Sequence, residues 1–509
     1  MTGVDERESP GRAPDPAGLD AALPVLAANG ARFEALLATA EAHLRARRLD
    51  EAGRAAQQAA GVAWMEHTGI HASPRLEAVA RAIAPAGSTW RPQAGATTRV
   101  VHVLTQAYAT GGHTRWSERI IRMDRARSHS VVLTAQGGIP VPGFLEDAVA
   151  ASGGRVMRLE PGPLLDRAAR LRSLVWPHGL VVANLHPNDV TAIVALADAR
   201  RRPPVALLDH ADHAFWLGQA AADLVVDFRA AGAALGRRRR GLAAERSAIL
   251  PLPLEAPSPA PDRDALRAAL GIRPGDVLAI SAGSAWKFDP GARRGLPSFA
   301  EVVAPVAAAD PRLQLLVLGP RPGGQWTEAS RMTAGRMRAV GTRTDYGDLV
   351  RAADLYLDPF PMGSLYSILE PGILGVPGIS MRQWPDQAAV LMANAPGLDA
   401  VPHEADDEAG YHSLLEGLLA SPEARSDLGG ALAASIGALH AGQAWMDAWE
   451  TVVVRTRDRH RGAPDGAWAG APDLDRGATD LLARGLAWIV ERVAPPPDVV
   501  VAHLPLARP

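Results

Sequence analysis

The 509-residue sequence contains no cysteine. Disulfides, thiolate zinc sites, iron–sulfur clusters and cysteine nucleophiles are therefore excluded. Neither sign of charge is in excess. Lys+Arg is 53 and Asp+Glu is 55, a formal net charge of -2, so no bulk cationic field exists to gather nucleic acid or anionic lipid. No apolar run approaches the ~18–20 residues that span a bilayer. The opening residues, M-T-G-V-D-E-R-E-S-P, are polar and lack an apolar signal core, so the expected compartment is the cytoplasm. Aromatics are scarce, at 5 %. Gly (49) and Pro (42) are abundant, a bias we read as that of a GC-rich bacterial genome.

What remains is ordinary globular material. Hydrophobic residues make up 47 % and charged residues 21 %, enough for full-sized cores, and the length suggests about three domains. Residues 1–18 are Pro-, Gly- and Asp-rich and are expected to be disordered. Residues 19–95 read as helical. Phe33, Leu36, Leu37, Ala40 and Leu44 form one apolar stripe, and a second run from Leu49 to His67 is rich in Ala. Together they resemble a single tetratricopeptide-type hairpin, which cannot bury its face alone. It is either a cap on the next domain or a docking module for a partner or acceptor.

From residue 96 to 250 the period changes. Short apolar runs at 100–104, 130–133, 155–159, 180–184, 205–208 and 224–226 alternate with helical stretches, one of them Arg115–Arg125. This is the pattern of βαβ units around a buried parallel sheet. Residues 251–263 are Pro-rich and read as a linker. A second series over 264–431 has strands at 277–281, 313–318, 338–340, 355–357 and 378–381. Residues 432–509 begin with one long helix, 432–455, that crosses back to the first domain; 460–472 read as loop and 474–492 as a further helix. The expected fold is α/β: two doubly wound, Rossmann-like domains facing a cleft, with an N-terminal α-helical region. Open α/β sheets bind ligands at the carboxyl ends of their strands.

The most informative segment is Asp348–Met381. A helix over 348–353 leads to a strand, a Pro/Gly loop, and a helix from about Ser364 to Gly375. A helix start at a sheet edge suits a phosphate, beside Ser364 and Ser367. Glu370, less than two turns on, can accept hydrogen bonds from a ribose diol. Phosphate donors followed by a diol acceptor suit a nucleotide. An ordinary βαβ unit with capping serines and a surface Glu fits the same residues.

The stretch L-E-P-G-I-L-G-V-P-G-I-S resembles the "E-A-x-A-x-G-x-P-V-V" element of GT-B glycosyltransferases, in particular the bacterial family 4-like group, and D-P-F-P resembles the loop before it. The resemblance implies a donor site in the C-terminal domain and an acceptor site in the N-terminal one. It implies metal-independent transfer, with nothing bound permanently. A UDP- or GDP-sugar would be the donor and a hydroxyl-bearing small molecule, glycan or protein the acceptor, with the N-terminal helices as a docking place. Glu370 would hold the ribose, and Gly363, Ser364 and Ser367 the diphosphate.

Further patches are weighed on the same resemblance. In S-A-G-S-A-W-K-F-D-P, Gly283 and Ser284 permit a tight turn and Lys287 can reach the diphosphate as a point charge. The family often has an Arg five residues earlier; here that position is Ala282, with Arg293 or Arg294 as substitutes. Val340 and Gly341 would read the base through backbone groups. After the first strand, Gly111 and Gly112 allow close backbone approach, and His113 opens the following helix facing the cleft, at the transferred sugar. In L-L-D-H-A-D-H-A-F-W, Asp209, His210, Asp212 and His213 cluster polar groups at a strand end. A metal site, a structural network, acceptor binding, or general-base work by Asp212 or His213 can each be read there. His186 and Asn188 are further possibilities, and Arg237–Arg240 reads as a solvated helix face.

No G-x-x-x-x-G-K-[ST] and no G-x-G-x-x-G after a strand occurs, which disfavours NTPase and dehydrogenase readings. A nucleotide-sugar 2-epimerase, a phosphorylase, and a sugar-nucleotide-binding protein without transferase activity stay open. Retaining relatives commonly carry a second Glu eight residues before the first; counting back from Glu370 gives Met362. The breadth of the resemblance still favours retention of anomeric configuration.

Overall fold

The structure is a computed structural model that describes residues 23–84, 87–255, 262–289 and 296–462. The sequence-predicted disordered start, the substitutes Arg293 and Arg294, and the loop and helix expected beyond 462 lie outside the described residues. The chain divides into two compact units, Ala22–Glu255 joined by the segment from His440 onward, and Ala256–Leu439.

The first unit is built on seven strands: β1 (Arg99–Leu104), β2 (Ser128–Leu133), β3 (Val156–Arg158), β4 (Leu180–Asn184), β5 (Val205–Leu208), β6 (Leu224–Asp227) and β7 (Ser247–Ile249). They pair in parallel in the order β3-β2-β1-β4-β5-β6-β7. Central strands such as Leu180–Asn184 are buried along their whole length, which is why they read as unbroken apolar runs. β7 escapes a sequence reading because Ser247-Ala248-Ile249 is only three residues long and mixed in polarity.

Upstream, helices Leu23–Arg45 and Leu49–Val62 form the expected hairpin, with Ala40, Ala52, Ala56, Ala59 and Ala60 fully buried between close backbones. The second helix ends in a π-helical turn, Ala63–His67. The region is fastened to the sheet domain. Phe33 meets Phe215 edge-on at 6.1 Å. Glu77, on helix Pro74–Ile83, accepts from the backbone N–H groups of Gly218 (2.7 Å), Gln219 (3.1 Å) and Ala220 (3.4 Å). A buried carboxylate is tolerated where it caps the free donors of another helix end.

The predicted single helix over 432–455 is two: Pro422–His440 and Gly442–Gly462. Gly442 has φ +62°, a left-handed conformation that glycine adopts without strain and that breaks the helix there. The helix beyond it belongs to the first unit. Trp445 Nε1 donates to Pro251 O (2.7 Å), Trp449 Nε1 to Asp124 Oδ2 (2.8 Å), and Arg457 to Thr97 O (2.7 Å).

The second unit has strands β8 (Val277–Ala282), β9 (Leu313–Leu318), β10 (Met337–Gly341), β11 (Leu355–Leu357), β12 (Gly378–Met381) and β13 (Glu404–Ala405). The order is β10-β9-β8-β11-β12-β13, again parallel. In both sheets the winding reverses once, between β1 and β4 in one and between β8 and β11 in the other. Loops leaving the carboxyl ends of those two strands diverge to opposite faces and leave a crevice.

Candidate functional site

At the β8/β11 reversal three sequence-predicted patches come together. The chain leaves β8 through Gly283 and Ser284 into a short turn, Ala285–Lys287. It leaves β11 through Asp358 and a Pro-rich loop to Gly363 and Ser364. Lys287 Nζ donates to Gly363 O at 2.8 Å and lies 3.4 Å from Ser364 Oγ. Ser364 Oγ in turn donates to Ala282 O at 3.0 Å, and its N–H points at both oxygens of Asp358 (3.2 and 3.1 Å). The two loops are thus sewn together around one ammonium. Glycine is required at Gly363 and gives the looser packing at Gly283. A Cβ at Gly363 would sit 2.5 Å from Ala393 N and 2.9 Å from Asp358 Oδ2. One at Gly283 would press on Lys287 Cδ, Pro359 Cγ and Ser364 Oγ at 3.2–3.3 Å.

The following helix runs Tyr366–Ile373, shorter than the predicted 364–375. Ser364 therefore lies in the loop and Ser367 in the first turn, where backbone N–H groups have no acceptor within the helix. Glu370 is on this helix and half-buried. Tyr346, which opens the helix after β10, donates to Ser367 O at 3.0 Å. Val340 and Gly341 close β10, with Gly341 at φ +69° and its N–H on Pro320 O (2.8 Å).

Two features here were not singled out from sequence. Asp358 is buried, and burial pushes its carboxyl up against the pull of Lys287. Lys287 is the only lysine among the 53 basic residues. That composition is itself a signal: where arginine serves every other position, a retained lysine marks a site that needs a compact, rotatable ammonium.

At the β1/β4 reversal the first unit gathers imidazoles. Gly111 has φ +91°, and the helix Gly112–Met123 starts three residues earlier than predicted. His113, in its first turn, has its Nε2 3.0 Å from Asn184 O. Burial lowers its pKa to about 4. His186, just after β4, is 6 % exposed, and burial with the neighbouring His113 lowers it to about 3. His210, after β5, meets His113 at 4.6 Å between ring centroids. Tyr108 stacks on His186 (5.8 Å, 5°) and Trp64 tilts over it at 5.5 Å. The loops are tied by Thr105 Oγ1, which donates to Asp189 (2.7 Å) and accepts from His186 N–H (2.8 Å).

The residues Asp212 and His213 are placed differently. Asp212 is gripped by Arg229, Nε–Oδ2 2.6 Å and Nη2–Oδ1 3.0 Å. Burial would raise its carboxyl, but Arg229 and His213 hold it at about 2. His213 lies 3.5 Å from Asp212 and is partly exposed. Arg240 corrects the reading of 237–240 as a solvated face. Arg237 and Arg238 are exposed, but Arg240 is buried, donating to Asp212 O and Ala214 O (3.1 and 2.7 Å) beside Asp209. Its position at the last turn of helix Ala230–Arg240 folds it back under the β5 loop. Among the described residues no group of three or more His, Asp or Glu is arranged to hold a metal ion.

No family model and no curated protein matches the sequence. Solved structures do match the fold. A glycosyltransferase from Rickettsia africae superposes with a TM-score of 0.53 at 8 % identity, over 70 % of this chain and 98 % of its own. A point mutant of the O-GlcNAc transferase of Thermobaculum terrenum gives 0.51 at 15 % identity, over 84 % and 83 %. The chain has the GT-B fold of glycosyltransferases, as the sequence resemblance implied.

Proposed function

We propose that this chain is a glycosyltransferase that moves a sugar from a UDP- or GDP-linked donor onto a hydroxyl-bearing acceptor. The observation that carries the reading is the placement of the only lysine, Lys287, on Gly363 O and beside Ser364 at the β8/β11 reversal. The names of the similar structures, both glycosyltransferases, agree with it.

In this reading residues 264–431 hold the donor. Lys287, Gly283, Ser284, Gly363, Ser364 and the first-turn N–H groups at Ser367 stabilise the leaving diphosphate, and transfer is read as metal-independent. Glu370 accepts from the ribose diol, and Val340 and Gly341 face the base. Residues 96–250 present the acceptor, with Gly111 and Gly112 giving room before His113. The anomeric carbon–oxygen bond to the diphosphate breaks, a bond to the acceptor oxygen forms, and the acceptor proton passes to a base. His113, neutral at pH 7, is the better proton acceptor. Asp212, at about 2 and clamped by Arg229, is the weaker, and His213 stands as its neighbour. Met362, eight residues before Glu370, is buried and offers no hydrogen bond to a donor sugar; in the proposed retention the leaving phosphate takes the acceptor proton, and His113, Asp212 and His213 are the bases of the inverting alternative. The proton coupling constant of the product's anomeric centre decides between retention and inversion.

A thermal-shift panel of UDP, GDP, dTDP and ADP tests the donor site. A ligand at 100 times its Kd stabilises by about 2.7 kcal/mol. A rise in Tm with one nucleotide is expected, and no shift with any would remove the basis of the proposal.

A further inference from the structure

A buried carboxyl controls the peptide unit on which the Lys287 ammonium rests. Asp358, the residue after β11, is 1 % exposed, and its own N–H is fixed on Ile379 O of β12 at 2.8 Å. Six residues on, the N–H of Ser364 returns to it, donating to Oδ1 at 3.2 Å and Oδ2 at 3.1 Å. The segment D-P-F-P-M-G-S is thus closed into a loop by its first and last residues. The carboxyl also packs on Gly363, where the place of a Cβ is 2.9 Å from Oδ2.

The N–H of Ser364 and the carbonyl of Gly363 belong to one peptide plane and point in opposite directions across it. Holding the N–H on Asp358 therefore turns the carbonyl the other way, toward the β8 loop, where it accepts from Lys287 Nζ (2.8 Å). The neighbouring groups are set with it. Gly363 N–H is held by Leu391 O (2.8 Å). Ser364 Oγ donates to Ala282 O (3.0 Å), which also accepts from the Tyr356 hydroxyl (3.2 Å), and it lies 3.4 Å from Lys287 Nζ. A lysine side chain is long and flexible, so an ammonium that is to meet a phosphate at one place needs its resting acceptors fixed beforehand. Burial, with Glu404 on β13, pushes the Asp358 carboxyl up against the pull of Lys287, and Tyr356 and Tyr411 also face it. The neutral acid is a form that asparagine imitates, with an oxygen still able to accept from Ser364.

We propose that Asp358 is a positioning residue for the diphosphate: by gripping Ser364 N–H it aims the Gly363 carbonyl, and through it the Lys287 ammonium. The proposal rests on the donor reading of Lys287 above and adds to it a residue that does not touch the ligand. Its loss should weaken what Lys287 does for phosphate and spare the contacts made to the nucleoside by other residues.

Calorimetry on the full chain tests it, with UDP, uridine, GDP and guanosine as probes. Asp358→Leu keeps the branched shape and removes the acceptor; it should lower affinity for the preferred diphosphate about tenfold and for its nucleoside less than about twofold. Asp358→Asn restores an acceptor oxygen and should stay within about threefold of wild type. In a Lys287→Ala background Asp358→Leu should cause little further loss, because the group it aims is gone. Asp358→Ala repeats the comparison should the leucine variant not fold. Ile379→Val, a packing change on the neighbouring strand, should lower Tm and leave the preference for diphosphate over nucleoside unchanged. An unchanged diphosphate affinity in the leucine and alanine variants, equal losses for diphosphate and nucleoside, an asparagine variant as weak as the leucine one, or a full further loss in the Lys287→Ala background would each overturn the role of Asp358. Those results leave nucleotide binding by the wild-type chain standing. A wild-type chain that binds none of the four probes would overturn the donor reading and this role with it.

Discussion

Lys287 and Glu370 carry separable parts of the proposed donor site, so their variants should fail differently. Glu370→Ala removes a charged acceptor for two hydroxyls. Hydrogen bonds to charged groups are worth roughly 1.5–3 kcal/mol, so donor affinity should fall about tenfold or more by calorimetry, with the thermal transition of the free protein unchanged. Lys287→Ala should weaken a nucleoside diphosphate far more than its nucleoside, because only the former carries the charge it meets. Lys287→Arg is the sharper experiment. The ammonium sits on Gly363 O and beside Ser364, in a space that even a Cβ at Gly283 would crowd. A planar guanidinium presents its donors in a wider, fixed fork, so the arginine variant should recover little of the diphosphate affinity; full recovery would mean charge alone is needed. His113→Ala should lower turnover more than donor binding, and an unaltered kcat would end its assignment. At this scale the sequence was informative where a residue stood out against its neighbours. Lys287, Ser364 and His113 follow apolar strands directly. The grip of Arg229 on Asp212 and the burial of Arg240 join residues 17 and 28 positions from Asp212, and no local pattern announces such pairs.

Elements were more legible than contacts. Eleven strand assignments follow from short apolar runs, since strands buried on both faces have no polar alternation to hide them. β7 and β13 were missed for the opposite reason: Ser247–Ile249 and Glu404–Ala405 are too short to show a period. The helix after β11 begins two residues later than its serines suggested, because Ser364 caps nothing and instead binds Ala282 O. Among helices, Gly442–Gly462 has the most exacting task. Its two tryptophans are fully buried against the first unit, and Trp449 donates to Asp124, whose carboxyl also faces Arg127 (2.9 Å) and His129 (3.4 Å). Replacing a buried Trp by Ala costs about 3–5 kcal/mol, so Trp449→Ala should lower the unfolding midpoint sharply. Donor binding, housed in the other unit, should persist at temperatures where the variant is still folded. Urea unfolding followed by circular dichroism, alongside nucleotide calorimetry, checks both halves of that statement.

On the scale of the whole molecule, the two units differ in their response to acid. The first holds His67, His71, His113, His186 and His210 neutral, each lowered chiefly by burial, three of them to about 3 or 4. A histidine whose pKa falls on folding contributes stability that is complete above its unfolded value of about 6.5 and is lost as pH falls toward the folded value. Asp209, pushed up to about 6 by burial, works the other way, gaining as it takes up a proton. Glu77 and Asp227 are raised by burial as well, while His102 and His178 are lowered with the five, and seven groups against three should prevail. Hydrogen exchange by mass spectrometry should show protection within 99–249 declining between pH 6.5 and 4.5, ahead of any loss within 277–405. Simultaneous loss in both units would contradict this.

One consequence of the lone ε-ammonium reaches beyond binding. Selective isotopic labelling of lysine would place a single reporter in a 509-residue chain, and it would sit at the proposed diphosphate pocket, on the Gly363 carbonyl. Reductive methylation with labelled formaldehyde would reach it chemically too, the α-amine being the other amine modified. The resonance of that one group would then report nucleotide entry at the proposed pocket itself, in a chain of this size.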